Sequence, residues 1–189
     1  MSELFSIQLQ NRQQQGGDGV WLDLPTTTEQ VQAALRQIGI SSDNPQGLFI
    51  SGYFAEEEKR FAIPYNMVLA SNVDELNFLA SRLETLSTGE RAELNAALQA
   101  PQSELFSIGR ITDFPENVDY YVHLPDVHGP AQLGDYYLNR SGMVDMPEEW
   151  KGGIDTAQFG RYVAQQEQGV FTEYGYLVKS GDAWQKVHE

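Results

Sequence analysis

Residues 20–39, VWLDLPTTTEQVQAALRQIG, decide the fold of the first part of the chain, because they predict a strand followed directly by a helix. Val20–Leu24 favours a strand, which the next proline ends. Thr26 and Glu29 have the spacing of a capping box, and apolar residues then recur at helical intervals. Gly39 is a typical residue to end such a helix.

The segments on either side of this strand and helix are predicted to be strands as well. Residues 3–9 alternate apolar and polar side chains, with Phe5 and Ile7 on one face. Residues 48–54 form another apolar and aromatic run. The order β-β-α-β indicates a small antiparallel sheet with one helix on its face, which we predict as a first module over residues 1–66.

Residues 67–102 change to helical periodicity and predict a short helical module. Asn72 and Glu75 have capping spacing, and the helix that follows carries leucines on one side. Ser87 and Glu90 repeat that spacing before a second helix, which stops ahead of the next proline. Two helices joined by a short turn are therefore expected here.

The last part of the chain, residues 103–189, predicts a third module of mixed structure. Strands are predicted over Val118–Leu124 and Val170–Val178, and a short helix over Leu133–Leu138. Asp155 is predicted to cap a further helix, and the final residues are expected to be frayed. The chain is thus predicted to be an α+β protein of three small modules.

One six-residue sequence, SELFSI, occurs at residues 2–7 and again at residues 103–108. The first copy precedes a polar, Gly-rich turn and is predicted to be a strand. The second copy follows a proline and continues into Ile111 at helical spacing, so we predict a helix there.

Acidic side chains outnumber basic ones: 27 Asp and Glu against 12 Lys and Arg give a formal net charge of −15 over 189 residues. Residues 111–189 hold 13 of the acids and 5 of the bases, which is more than half of the net charge. Because apolar periodicity continues between the acids, the charge is expected on folded surfaces. Composition alone favours acids that only keep the protein dispersed in solution, and the alternative is a negative surface that faces a basic partner. Such surfaces repel phosphates and anionic lipids, so neither direct nucleic-acid binding nor membrane binding is expected.

The composition also limits the chemistry and the location. The sequence contains no Cys, which excludes disulfides and thiolate metal sites and fits a reducing compartment. The N-terminus lacks the basic and apolar segments of a secretion signal, and no apolar run is long enough to cross a membrane. A cytoplasmic protein is therefore predicted.

The sequence contains no recognised catalytic motif, so neither an enzyme nor a cofactor is predicted. His123, Asp126 and His128 could begin a metal site, but a fourth ligand at the usual spacing is missing. Asp113 and Glu116 could form the carboxylate pair of a hydrolase, although the residues around them are typical of a turn. A carboxylate-dependent hydrolase stays the weakest alternative.

Four stretches of the sequence, taken in their order and spacing, resemble a known protein family. They are residues 20–40, which run from VWLDLP to IGI; residues 72–77, NVDELN; residues 133–148, which contain LGDYYL and PE; and residues 154–176, which contain ID, FGRY and GVFTEYGY. Together these stretches resemble the ArdA antirestriction family over nearly the whole chain.

The resemblance implies an elongated homodimer that imitates bent duplex DNA and occupies the DNA groove of type I restriction-modification enzymes. The region from Leu133 to Asp155 is similar to the family's antirestriction motif region. The carboxylates expected to stand in for phosphates are Asp126, Asp135, Asp145, Glu148, Glu149 and Asp155. The alternative is an acidic adaptor that binds another basic protein of a mobile genetic element.

Overall fold

Two three-stranded antiparallel sheets, each accompanied by helices, confirm the α+β architecture predicted from the sequence. This computed structural model describes residues 3–14, 17–41 and 45–188. Contacts between Cα atoms group the chain into a first unit and a second unit. The first unit comprises Met1–Ser87, Leu105–Pro115 and Lys186–Glu189, and the second comprises Thr88–Glu104 and Glu116–Gln185. The division into three modules stays a prediction.

The helices and strands follow one another along the chain with short connections. The strands are β1 (Phe5–Asn11), β2 (Val20–Leu24), β3 (Leu48–Phe54), β4 (Tyr121–Leu124), β5 (Val170–Thr172) and β6 (Gly175–Lys179). The helices are α1 (Thr28–Gln37), α2 (Tyr65–Leu69), α3 (Val73–Leu83), α4 (Thr88–Gln99), α5 (Ile108–Thr112), α6 (Pro130–Asp135), α7 (Glu148–Lys151) and α8 (Thr156–Glu167). A single π-helical turn, Tyr136–Arg140, continues α6.

The sheet of the first unit has the order β2-β1-β3, and its alternating side chains form a buried face and an outer face. Ile7, Leu9 and Leu24 are fully buried on the inner face, and α1 and α3 contact β2. On the outer face, Gln8 of β1 pairs with Trp21 of β2 and with Gly52 of β3. The predicted antiparallel sheet with a helix on its face is therefore confirmed, and α3 adds a second helix.

The N-cap of α1 is Thr27 and not the predicted Thr26. The Thr27 hydroxyl accepts the Gln30 N–H, and the Gln30 side chain accepts the Thr27 N–H at 3.3 Å, which is a complete capping box. Asn77 of α3 holds Thr26 outside the helix, because it accepts the Thr26 N–H at 2.7 Å and donates to the Thr26 carbonyl at 3.0 Å. A contact distant in sequence therefore selects between two cap positions that the local sequence allows.

Two other predicted helix starts are confirmed. The side chain of Asn72 accepts the Glu75 N–H at 2.9 Å at the start of α3. The side chain of Asp155 accepts the Gln158 N–H at 2.9 Å at the start of α8. In both cases a side chain satisfies a backbone N–H that has no partner within its own helix, so a local pattern was sufficient to place the cap.

Over their described residues the two copies of SELFSI adopt different structures, although the second copy is helical only at its last residue. The first copy leads into β1, as predicted. In the second copy, Ser107 caps α5 by accepting the Arg110 N–H at 3.2 Å, so the helix begins only at Ile108. The helix prediction is wrong for residues 103–107, where Leu105 is buried without being helical.

The sheet of the second unit has the order β4-β6-β5, and β4 begins later than predicted. Val118–Tyr120 forms a 3₁₀ turn, in which the Tyr120 N–H donates to the Asn117 carbonyl at 3.0 Å. The strand predicted from Val118 is therefore confirmed only from Tyr121 onward.

The single strand predicted over residues 170–178 is wrong, because a tight turn divides it into β5 and β6. Gly175 has a φ of +119°, a value that side-chain-bearing residues rarely adopt. The Thr172 hydroxyl donates to the Gly175 carbonyl at 2.8 Å and accepts the Tyr174 N–H at 3.1 Å. These bonds close the turn and form a β-hairpin.

Residues 182–188 have no regular secondary structure, yet hydrogen bonds hold them, so the prediction of a frayed end is wrong for these residues. In the second unit, the Gln185 N–H donates to the Asn117 side chain at 2.7 Å, and that side chain donates to the Gln185 carbonyl at 2.9 Å. In the first unit, His188 places its backbone N–H and its Nδ1 at 2.9 and 2.8 Å from one Asp113 oxygen.

Candidate partner-binding surface

The acidic stretch from Asp126 to Asp155 lies within the second unit and contains α6, the π-helical turn and α7. Pro130 begins α6, where a residue without an N–H leaves no donor unpaired. Pro147 directly precedes α7. The helix predicted over residues 133–138 is confirmed, and Gly142 with a φ of +69° follows its end as expected.

Two glycines let α6 and α8 approach until their backbones touch. A Cβ atom on Gly134 would lie 1.9 Å from the carbonyl oxygen of Thr156. A Cβ atom on Gly160 would lie 1.8 Å from a carbonyl oxygen at the start of α6. Because Asp135 and Asp155 are next to Gly134 and Thr156 in sequence, this crossing brings the backbones of the two acidic residues near each other.

Buried contacts below the crossing hold both helices to the second sheet. Leu133 of α6 and Ala164 of α8 lie in one hydrophobic cluster with Tyr176 of β6. At the end of α8, the Glu167 carboxylate accepts hydrogen bonds from the hydroxyls of Tyr137 and Tyr176. The acidic side chains are therefore attached to a framework with its own core.

Asp135 is already neutralised within the stretch. Its carboxylate accepts a hydrogen bond from Asn139 at 2.8 Å and forms an ion pair with Arg140 at 2.7 Å. The Asn139 bond and then the Arg140 guanidinium lower the pKa of Asp135, since both stabilise its charged form. Its charge is consequently less available to a partner than the sequence suggested.

Glu148 and Asp155 also have partners. Glu148 pairs with Lys151 at 2.6 Å along α7. Asp155 is committed to the cap of α8, where its negative charge lies at the positive end of the helix. The two basic residues of the stretch, Arg140 and Lys151, are thus both paired with predicted site residues.

The remaining predicted carboxylates are exposed, as Glu148 and Asp155 are, but they lack partners among the described residues. Asp126 follows β4, Asp145 lies between the π-helical turn and α7, and Glu149 is in the first turn of α7. Within the part of the chain that the structure describes, none of these three side chains has a hydrogen bond or ion pair. Six acids and two bases between residues 126 and 155 leave four unbalanced negative charges, and these three carboxylates, which have no partner among the described residues, present most of them.

His123 and Asp113, which the sequence suggested for chemistry, have structural roles. His123 places Nε2 at 2.7 Å from the Tyr174 carbonyl, which joins β4 to the hairpin turn. Asp113 is 1% exposed and is held by His188, so no substrate can reach its carboxylate. Among residues 3–14, 17–41 and 45–188, no group of three or more His, Asp or Glu side chains could hold a metal ion.

Comparison with known proteins identifies the family of the chain, which the geometry alone does not. The model of the family described as antirestriction protein (ArdA) matches residues 16–178 of the chain. The chain belongs to the ArdA family. This membership implies antirestriction activity, that is, inhibition of restriction-modification enzymes, and ArdA proteins are inhibitors and not enzymes. No curated protein sequence shows significant similarity to the chain.

Sequence reasoning missed the apolar part of this ArdA surface. Met143, Trp150 and Tyr162 are 75%, 68% and 60% exposed, and they lie within or close after the acidic stretch. No signal in the sequence marked these side chains as exposed, since Met146 lies three residues after Met143 and Ile154 four residues after Trp150, at helical spacing. In the described ranges, none of the helices is long and apolar enough to cross a membrane.

Proposed function

We propose that this ArdA family member inhibits type I restriction-modification enzymes by occupying their DNA-binding groove in place of duplex DNA. The observation that carries the proposal is the charge arrangement of the acidic stretch. Its two bases are paired with acids of the same stretch, and Asp126, Asp145 and Glu149 are exposed. Lys and Arg side chains that normally bind phosphates would meet these carboxylates.

The charge density favours a homodimer. B-DNA carries about one charge per 1.7 Å of its axis. A globule of this length would have a diameter of roughly 40 Å, and DNA of that length carries about 24 charges. One chain has 27 acids and a net charge of −15, whereas two chains together have 54 acids and a net charge of −30. The exposed side chains of Met143 and Trp150 are candidates for the dimer interface, since large apolar groups are enriched where subunits meet.

A competition experiment tests the proposal. A labelled duplex is bound to a type I methyltransferase at low salt, and the protein is added in increasing amounts. We expect stoichiometric release of the DNA, and we expect that added salt weakens the inhibitor, because screening reduces charge attraction. The absence of any displacement at low salt would contradict DNA mimicry. Sedimentation and small-angle scattering test the expected elongated dimer, which a compact monomer would contradict.

The alternative is an acidic adaptor for another basic protein of a mobile genetic element. The same exposed carboxylates support it, since they are complementary to any basic surface. Capture of a nucleoid or conjugation protein from a cell lysate, together with failure to compete for the methyltransferase, would favour the adaptor.

A further inference from the structure

The outer face of the first sheet presents an exposed indole beside an exposed carboxylate. Trp21 is 50% exposed, and Asp23 is two residues further along β2, so both side chains lie on the same face. Gly52 makes room for the indole across the sheet, because a Cβ atom at that position would lie 3.0 Å from Cη2 of Trp21. The ring is therefore held by the sheet and still offers surface to solvent.

Hydrogen bonding also positions Asp23. Its Oδ1 accepts the Ser6 hydroxyl at 2.6 Å from the neighbouring strand, as expected for residues that are directly paired. Because this bond uses one carboxylate oxygen, the other oxygen can accept a donor from outside the chain.

A pocket of about 380 Å³ joins these groups at the edge of β2 and the start of α1. Glu3, Trp21, Asp23 and Gln30 contribute to its lining, and none of the described residues that line it is Lys or Arg. The lining thus combines two carboxylates and an aromatic ring without a balancing positive charge. A planar cation that can stack on a ring and donate to carboxylates fits this combination.

The same face already contains one contact of this kind. The Arg12 guanidinium lies over the Phe49 ring, with 5.2 Å between Cζ and the ring centroid. Phe49 pairs with Gln10, which puts its side chain on the outer face with Trp21. An aromatic ring of this sheet therefore accepts a guanidinium in the structure itself.

We propose that the pocket formed by Glu3, Trp21 and Asp23 binds an arginine side chain of a protein partner. The guanidinium stacks on the Trp21 indole and donates hydrogen bonds to the carboxylates of Asp23 and Glu3. A DNA phosphate offers an arginine no aromatic ring to stack on, so this site does not imitate the DNA backbone. The inference does not depend on the proposed function, because its residues lie in the first unit and the acidic stretch lies in the second.

Indole N–H signals in the NMR spectrum of the full chain provide the test. The three tryptophans are Trp21, Trp150 and Trp184, and a Trp21→Phe variant identifies the signal of Trp21. The probe is acetyl-triarginine amide, and the matched probe is the triple citrulline peptide, which has the same shape without the charge. We expect a saturable shift of the Trp21 signal with arginine and no shift with citrulline.

Variants distinguish binding of the arginine peptide at this site from its general attraction to an acidic protein. We expect Asp23→Asn and Glu3→Gln each to raise the Kd from the Trp21 signal at least threefold, whereas Asp18→Asn, which removes an exposed charge outside the pocket, leaves it unchanged. Neutralising Asp145, Glu148 and Glu149 should also leave the Trp21 response unchanged. An unmoved Trp21 signal, equal shifts with citrulline, or an unaltered Kd in Asp23→Asn would overturn the inference.

Discussion

Tyr176 donates its hydroxyl hydrogen to Oε2 of Glu167 at 3.0 Å, which ties the central strand of the second sheet to the end of α8. Tyr137 donates to the other oxygen of the same carboxylate. Burial, followed by the effect of the Glu167 charge, raises the pKa of Tyr176 well above its ordinary value, and the pKa of Tyr137 is raised for the same reasons. This half-buried acceptor holds the framework below the acidic stretch.

We predict that the stability of the protein falls as the pH rises above about 10. A folded tyrosine with a raised pKa keeps its proton where the unfolded tyrosine loses it. The stabilisation is therefore complete below the unfolded pKa and is lost as the pH rises toward the folded one. Urea unfolding at pH 9 and at pH 11, with tyrosinate absorbance, measures the effect, and equal unfolding free energies at both values would contradict it.

Replacing the acceptor should weaken the same framework at neutral pH. We expect Glu167→Gln to lower the free energy of unfolding by about 1–3 kcal/mol, because two hydroxyl groups lose a charged acceptor. Asp126→Asn removes an exposed carboxylate of the same unit and should change the stability by less than about 0.5 kcal/mol. Urea denaturation of the two variants makes the comparison, and equal losses would show that Glu167 has no special role.

The crossing of α6 and α8 should not tolerate a methyl group. We predict that Gly134→Ala lowers the unfolding free energy by about 2–3 kcal/mol, because the added Cβ can be accommodated only by moving the backbone of Thr156. Gly89 in α4 is a matched control, since a Cβ there meets nothing within 4 Å. Alanine at that position should raise stability by up to about 1 kcal/mol, because alanine favours the helix. A neutral Gly134→Ala variant would contradict the close approach.

Because of Glu93 in α4, the stability of the second unit is expected to depend on pH between about 4.5 and 8. Burial raises its pKa to about 8, and the charges of Glu90 and Asp119 add to the shift. Its Oε1 atom is buried and has no hydrogen-bond partner among the described residues. The pKa of Glu93 is higher in the folded state than in the unfolded state. Its proton therefore stabilises the folded state fully below pH 4.5, and this stabilisation is lost as the pH rises through 8.

A Glu93→Gln variant isolates this effect. We expect its thermal midpoint, relative to the wild type, to increase between pH 5 and pH 9, because the amide cannot acquire the buried negative charge. Glu149→Gln should show no such trend, since that side chain is exposed. A constant difference between Glu93→Gln and the wild type at all pH values would count against a raised pKa.

Neutralising three acids of the stretch should weaken inhibition more than it alters folding. We predict that the Asp145→Asn, Glu148→Gln and Glu149→Gln triple variant needs roughly tenfold more protein for half inhibition of a type I enzyme, because about 1.4 kcal/mol of charge attraction is lost. Its unfolding curve should match that of the wild type. Glu56, Glu57 and Glu58, changed together to Gln, remove the same formal charge from the first unit. If both triple variants inhibit equally well, the acidic stretch has no special part in binding.

The sequence by itself determined the α+β class, the strands β1 to β3, the caps of α3 and α8, and membership of the ArdA family. These features depend on residues close together in the chain: period-two alternation, N-cap spacing and a recognisable order of short motifs. The surplus of acids was also evident without a structure. Each of these properties is local or compositional, so no distant contact was needed.

Only the tertiary structure decided how those acids are used and where several elements begin. Asn77 selects the cap of α1 by binding Thr26, which is 51 residues away in sequence. Arg140 and Lys151 neutralise Asp135 and Glu148, whereas Asp145 and Glu149 have no partner among the described residues, a distinction that six similar carboxylates in a sequence cannot reveal. The pocket beside Trp21 likewise depends on Gly52 of another strand. The physical reason is that ion pairing, burial and ring placement are set by neighbours in space, which the local sequence does not encode.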